Sequence, residues 1–181
     1  SLQCSKVQLS LAEKSKANVQ KCKFRKINMS AVHGIKECIV NVNDSKFTDC
    51  TSNGINFEYS NGEVSECEFS MFRCPVFATF GPNTKPYIHD CRVQNVNAFG
   101  AIARDCSTPI FEKLTFLDGS THCFSVSDFA KASIRNCTIS NFEGSAFSTF
   151  NGALAIVENN TIGKCVYLTD SMTQGSIVFN S

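Results

Sequence analysis

A short frame of apolar residues recurs seven times along the chain at nearly constant spacing. In its sixth copy, Ile134 and Ile139 flank Cys137, which follows the first by three residues and precedes the second by two. Successive copies are 23, 22, 24, 23, 23 and 23 residues apart. A fixed period of this length predicts a solenoid. The residues at the position of Cys137 are Cys22, Ser45, Cys67, Cys91, Leu114, Cys137 and Asn160.

Each copy divides into three short apolar runs separated by turn signals such as "FEGSAF" and "VENNTI". Strands of three to five residues are indicated, because no window shows the 3.6-residue periodicity of a helix. One such coil cannot bury an apolar face alone, whereas stacked coils enclose a continuous core. We therefore predict an all-β chain that forms a single-stranded parallel β-helix of about seven coils of 22–24 residues.

The uneven spacing within the frame predicts a corner in every coil. The residue before the position of Cys137 is polar in every copy, as Asn136 is, and is expected to face outward. Cys137 itself is expected to point inward and to stack on its equivalents in the neighbouring coils. We call the seven residues at this position, from Cys22 to Asn160, the ladder. Asn160 has the side chain best suited to it, since stacked amides can hydrogen-bond to one another. Cys and Ser are small and tolerate burial.

The frame, clearest in "IRNCTI" and "VENNTI", resembles that of the right-handed parallel β-helix family. This family includes pectate lyases, polygalacturonases, phage tailspikes and non-catalytic β-helix domains of eukaryotic adaptor proteins. The resemblance covers residues 6–180 and implies the fold but not an activity. Right-handed coiling is implied by the resemblance and by the general handedness of parallel crossovers.

Composition excludes some classes of partner. The net charge of +1 gives no reason to expect nucleic acid, and no apolar run is long enough to span a membrane. The 181 residues are expected to form one β-helix domain, residues 1–181. The repeat already runs close to both ends of the chain, so we expect a fragment of a longer protein.

Eleven cysteines are present, but their spacing does not indicate a metal site or a cofactor. Cβ atoms on neighbouring coils are about 4.8 Å apart, which is longer than a disulfide prefers. We therefore expect buried free thiols and a reducing, cytoplasmic location. The alternative of a secreted or cell-surface protein is supported by four glycosylation triplets, at Asn28, Asn43, Asn136 and Asn159.

Two groups of residues could form a catalytic or metal site. Asp44, Glu66 and Asp90 lie one coil apart and could bind calcium or act as an acid pair, although Lys46 and Arg92 favour a solvated charged corner. The second group would combine Arg104 and Asp105, from "ARDCSTP", with His89 and Asp90, which lie one coil away. The catalytic motifs of the polygalacturonases and pectate lyases are absent. We therefore assign no catalytic residue.

A column of large apolar residues after each glycine turn is a candidate partner-binding stripe. If the preceding column, which includes Val76 and Cys123, points inward, this column points outward. Exposed apolar patches of such size are rare in monomers. The alternative is that the alternation is shifted by one residue and that these side chains fill the core. The stripe consists of Phe77, Ile102, Phe124, Phe147 and Tyr167.

The function that these features favour is a non-catalytic scaffold module that presents one face of the β-helix to a protein partner. The alternative is a carbohydrate-binding or polysaccharide-degrading domain. An acidic cleft would favour the alternative, and a flat apolar stripe without paired carboxylates favours the interaction module.

Overall fold

The structure, a computed structural model, describes residues 3–5, 8–171 and 174–180. In this part of the chain the regular secondary structure consists of 23 β-strands, without any helix. Consequently, no helix capable of crossing a membrane is found among the described residues.

The strands, numbered along the chain, form three faces of a coil. Face 1 contains β3 (Lys16–Gln20), β6 (Ile39–Asn43), β9 (Asn61–Ser65), β12 (Tyr87–His89), β15 (Ile110–Glu112), β18 (Lys131–Arg135), β20 (Leu154–Glu158) and β23 (Ser176–Asn180). Face 2 contains β1 (Gln3–Ser5), β4 (Lys23–Arg25), β7 (Lys46–Cys50), β10 (Glu68–Phe72), β13 (Arg92–Val96), β16 (Thr115–Gly119), the first half of β19 (Thr138–Thr149) and β21 (Thr161–Ile162). Face 3 contains β2 (Leu9–Leu11), β5 (Val32–Ile35), β8 (Ile55–Glu58), β11 (Phe77–Phe80), β14 (Ala101–Arg104), β17 (Phe124–Val126), the second half of β19 and β22 (Cys165–Ser171).

All strand pairs are parallel and join equivalent segments of successive coils. On face 1, for example, Ile88 pairs with Val64 of the preceding coil and with Phe111 of the following coil. Face 1 forms an eight-stranded sheet of its own, whereas faces 2 and 3 merge into a 15-stranded sheet through the long strand β19. The predicted all-β parallel β-helix is therefore confirmed.

The core is a stack of apolar side chains that repeat from coil to coil. On face 2, Phe24, Phe47 and Phe69 lie directly over one another, with 4.7 Å between successive ring centroids. This spacing equals the distance between neighbouring strands, because each ring is carried by the next strand of the sheet. Phe47 and Phe69 are almost fully buried.

The corner between faces 1 and 2 has the same backbone conformation in every coil from Lys21 to Asn159. The polar residue before each ladder position has a φ angle between 46° and 56°, in the left-handed region. This conformation costs an L-residue roughly 1–2 kcal/mol. It turns the chain so that the next side chain, such as Cys67 or Cys137, points inward and is buried.

The ladder side chains hydrogen-bond to backbone groups at this corner. The Cys137 thiol donates to the carbonyl oxygen of Arg135 at 3.3 Å, and Ser45 donates to Asn43 in the same way at 2.9 Å. Asn160 makes two bonds to the coil below: its Oδ1 accepts from the Cys137 N–H at 2.7 Å, and its Nδ2 donates to Ile134 O at 2.9 Å.

Candidate functional site

The apolar stripe predicted on face 3 is not exposed. Phe77, Phe124 and Phe147 are at most 1% exposed and Ile102 is 6% exposed. Phe124 lies in the core, with its ring centroid 5.0 Å from that of Phe116. Of the five residues, Tyr167 alone is exposed, at 63%. The prediction of an exposed stripe was therefore wrong for the other four. Ile102 pairs with Ala78 and Ser125 and not with the phenylalanines, so it is buried without sharing their inward column.

For the phenylalanines, the physical reason is a corner at the start of each face 3 strand. Cys123 and Phe124 are consecutive in sequence, yet both are almost fully buried, and so are Val76 and Phe77. The strands begin at Phe77 and Phe124, so the alternation of inward and outward residues starts there and not one residue earlier. The alternative, in which the phenylalanines fill the core, is correct.

The acidic corner residues Asp44, Glu66 and Asp90 line shallow surface grooves together with basic side chains. One groove of about 300 Å³ also contains Lys46, whose Nζ lies 2.8 Å from Glu68 Oε2. A second groove of about 420 Å³ contains Arg92 and Lys113 beside Glu66 and Asp90. Nowhere in the described part of the chain do three or more His, Cys, Asp or Glu side chains form a group that could hold a metal ion.

The second group of candidate catalytic residues is not brought together. Arg104 ends β14 on face 3, and Asp105 follows it at the corner before face 1. His89 instead ends β12, at the far end of face 1. The two parts of the group therefore lie at opposite ends of the face 1 strands.

Face 1 carries an outward column of apolar side chains that the sequence reasoning missed. Tyr87, Ile110, Ser133, Ile156 and Val178 are paired in register on five successive coils. We call Tyr87, Ile110, Ile156 and Val178 the apolar column. Its first three members are half-buried, and Val178 is 44% exposed. The signal in the sequence is a pair of adjacent apolar residues, as in "YIH", "IFE" and "IVE", of which only the second faces inward.

Charged side chains border the apolar column two residues along strands β12, β15, β18 and β20: His89, Glu112, Arg135 and Glu158. Glu112 Oε2 accepts a hydrogen bond from the Tyr87 hydroxyl at 2.5 Å and one from Arg135 Nη2 at 3.0 Å. These two contacts hold the pKa of Glu112 below its ordinary value. The Glu112 carboxylate in turn raises the pKa of Tyr87 and that of Arg135. Glu112 is thus held ionised between two donors.

His89 lies between two carboxylates at the same border. Its Nδ1 is 2.7 Å from Asp90 Oδ2 and its Nε2 is 3.0 Å from Glu63 Oε1. Partial burial lowers the pKa of His89, but the hydrogen bonds to Asp90 and Glu63 outweigh this effect and raise it overall. The imidazole also stacks on Tyr87, with 4.2 Å between the ring centroids. The geometry therefore favours the imidazolium form.

Comparison with known proteins agrees with this architecture. Residues 8–181 match the model of the family described as "Right handed beta helix region", so the chain belongs to this family. No curated protein matches the chain significantly. One similar solved structure is described as "Crystal structure of Agl-KA catalytic domain", with 9% sequence identity and a TM-score of 0.43. The alignment covers 96% of this chain and 54% of that one, so the chain spans about half the length of the solved protein.

Proposed function

We propose that this β-helix is a non-catalytic interaction module that binds a protein partner through face 1. The observation that carries the proposal is the apolar column, which lies on the outward side of the eight-stranded sheet of face 1. At about 4.8 Å per coil, the five coils from Tyr87 to Val178 give a stripe of about 19 Å, interrupted by Ser133 on the middle coil. An apolar centre beside a charged border is the usual arrangement of a protein interface.

The charge states beside the apolar column support binding over acid–base catalysis. A general acid requires a protonated carboxyl group, whereas Glu112 is held ionised by Tyr87 and Arg135. A general base requires a free acceptor, whereas both ring nitrogens of His89 are engaged by carboxylates. These side chains neutralise one another and leave the border suited to orienting a bound surface.

The proposal is tested by chemical cross-linking of the chain to its partners, followed by mass spectrometry. Replacing Ile110 and Ile156 together by Ser removes apolar area from face 1 without opening the core, since both side chains are outward. Leu117→Ser is the matched control, because Leu117 is a half-buried apolar side chain on face 2, between the buried Phe116 and the exposed Asp118. Partner cross-links that fall at least tenfold in the double variant and persist in Leu117→Ser support the proposal, and equal cross-linking in all three proteins contradicts it.

Catalysis and carbohydrate binding are tested with a panel of plant, microbial and animal polysaccharides. We expect no release of reducing ends or unsaturated products by the purified chain, and no specific signal on a glycan array. Polysaccharide turnover that disappears in Glu112→Gln or His89→Ala would show that the chain is a carbohydrate-active domain and not an interaction module. Glycan binding that is lost in Tyr87→Ala would do the same for a carbohydrate-binding domain.

A further inference from the structure

We propose that the occupant of face 1 is a single amphipathic α-helix of the partner, lying along the solenoid axis over the apolar column. This inference rests on the proposed function and specifies the kind of partner. It follows from three properties of the face: its hydrogen bonding, its size and its charges.

The backbone of face 1 is paired on both sides along the apolar column from Tyr87 to Ile156; Val178 lies in β23, which pairs with β20 only among the described strands. Strands β12, β15, β18 and β20 each pair with a strand on both sides. An extended peptide laid on this face would therefore find no main-chain partner for its own N–H and C=O groups. A helix satisfies these groups internally and needs only side-chain contacts.

The size of the apolar column fits one helix and not a second copy of the chain. A stripe of about 19 Å equals the length of about 13 helical residues, and a helix is about 10 Å wide. The apolar footprint is therefore about 200 Å². A stable dimer requires about 800 Å² from each partner, several times more than the column provides.

The unpaired charges at the column orient the helix. Lys131 lies two residues before Ser133, on one side of the column, and forms no ion pair with any described residue. Glu158 lies two residues after Ile156, on the other side, and accepts a hydrogen bond from Asn180 at 2.8 Å. The complementary helix carries acidic side chains on the flank that faces Lys131 and basic side chains on the flank that faces Glu158.

A designed peptide tests this inference directly. The probe is a 14-residue helix with a Leu stripe, one central Trp, acidic residues on one flank and basic residues on the other. Because the chain contains no Trp, the emission of the peptide reports its burial without background. The two comparison peptides have the charged flanks exchanged, or have two internal prolines that prevent helix formation.

We expect the complementary peptide to bind at least tenfold more tightly than either comparison peptide. Ile156→Ser should weaken its binding at least tenfold, and Leu117→Ser should leave it unchanged. Exchanging the charges with Lys131→Glu and Glu158→Lys should reverse the preference between the two helical peptides. Circular dichroism and thermal unfolding of each variant verify that it remains folded.

Equal binding of the proline peptide would overturn the inference in favour of an extended occupant. Self-association that disappears in Ile156→Ser, measured by sedimentation, would overturn it in favour of a second copy. Absence of binding by every peptide would also overturn it. In each of these cases the proposed function stands if the double variant Ile110→Ser with Ile156→Ser still loses its partner cross-links. If the double variant cross-links as well as the wild type, the proposed function fails together with the inference.

Discussion

At the scale of single residues, the ladder shows how thiols replace amides inside a solenoid. Asn160 bridges two coils with both ends of its amide, whereas the cysteines at equivalent positions make weaker contacts to the same kind of backbone group. The Cys91 thiol, for example, donates to His89 O of its own coil at 3.1 Å and lies 3.8 Å from Val64 O of the coil below. Burial raises the pKa of Cys137 to about 12, so this thiol stays protonated and unreactive at neutral pH.

We predict that Cys91→Asn stabilises the chain by about 1 kcal/mol, because the new amide can accept from the Cys67 N–H and donate to Val64 O. The Cys91 thiol already lies 3.8 Å from that carbonyl oxygen. Urea unfolding at equilibrium measures the change. The control is Cys123→Asn, at a buried thiol outside the ladder, which should destabilise by about 1–3 kcal/mol because the amide finds no partner. A loss of stability in Cys91→Asn would contradict the account of the ladder.

The ladder and its corner could be predicted from the sequence, because the frame repeats with little variation at this point. The left-handed backbone at residues such as Lys113 and Glu66 could not, since these residue types carry no preference for that conformation. It is imposed by the stacking of each coil on the next. That most cysteines are buried and free follows from their columns, and the expectation of a reducing compartment stays a prediction.

At the scale of strands, large and small side chains compensate for one another along an inward column. Gly119 in β16 pairs with Phe142 in β19, and a Cβ atom on Gly119 would overlap the Phe142 ring. The neighbouring coil carries Val96 at the same position. The space above Gly119 is therefore already occupied by the next coil.

We predict that Gly119→Ala destabilises the chain by about 1–3 kcal/mol, because the added methyl group displaces the Phe142 ring. Phe142→Ala alone should cost about 3–5 kcal/mol, through the cavity that it leaves. In the Phe142→Ala background, Gly119→Ala should cost almost nothing. A double-mutant cycle of unfolding free energies measures the coupling. The same cost for Gly119→Ala in both backgrounds would mean that the two residues do not compete for space.

The polar border of face 1 should give stability a defined pH dependence. Glu112 has a pKa below its ordinary value of 4.5, so its contribution is present above that pH and is lost as the pH falls through the lowered pKa. His89 has a pKa above its ordinary value of 6.5, so its contribution is complete below 6.5 and is lost as the pH rises through the raised pKa. Between these limits both contributions are complete.

Thermal unfolding measured from pH 3 to pH 9 tests the predicted direction of these two changes in stability. The unfolding temperature should decline on the alkaline side in the wild type, and His89→Gln should flatten that decline. Glu112→Gln should flatten the acid limb and leave the alkaline one. An alkaline limb that is unchanged in His89→Gln would show that His89 does not contribute to it.

Which side chains of each strand point inward could be predicted only in part. The inward residues of faces 1 and 2 follow from the frame, whose spacing is constant. Face 3 follows turns whose length varies, and Ala101 consequently pairs with Phe77 and Phe124 although it was aligned with Val76 and Cys123. The apolar column was missed because "IFE" and "IVE" were read only for their inward residues, Phe111 and Val157.

At the scale of the whole molecule, each coil contacts only the coils beside it, so stability should be a sum of contributions from the coils and from the interfaces between them. We predict that deletion of residues 115–137, one complete coil of 23 residues, leaves a cooperatively unfolding β-protein. The deletion joins Leu114 to Thr138, which succeeds Cys137 in the same frame.

Circular dichroism and urea unfolding measure the outcome. The control is deletion of residues 115–133, which removes 19 residues and joins Leu114 to Ile134, so that four residues more than in the full-coil variant lie at one corner. Both variants should keep the β-sheet spectrum, and the full-coil variant should be the more stable of the two in urea. If both variants unfold, the coils are not interchangeable units.

The parallel pairing of equivalent strands has a mechanical consequence. Nearly all hydrogen bonds between coils point along the solenoid axis, so a force applied between the two ends of the chain acts on the outermost coil first. That coil peels away while the others remain intact, and each such event frees about 23 residues, or about 80 Å of extended chain. The molecule should therefore lengthen under tension in regular steps, as an extensible tether that releases its length one turn at a time.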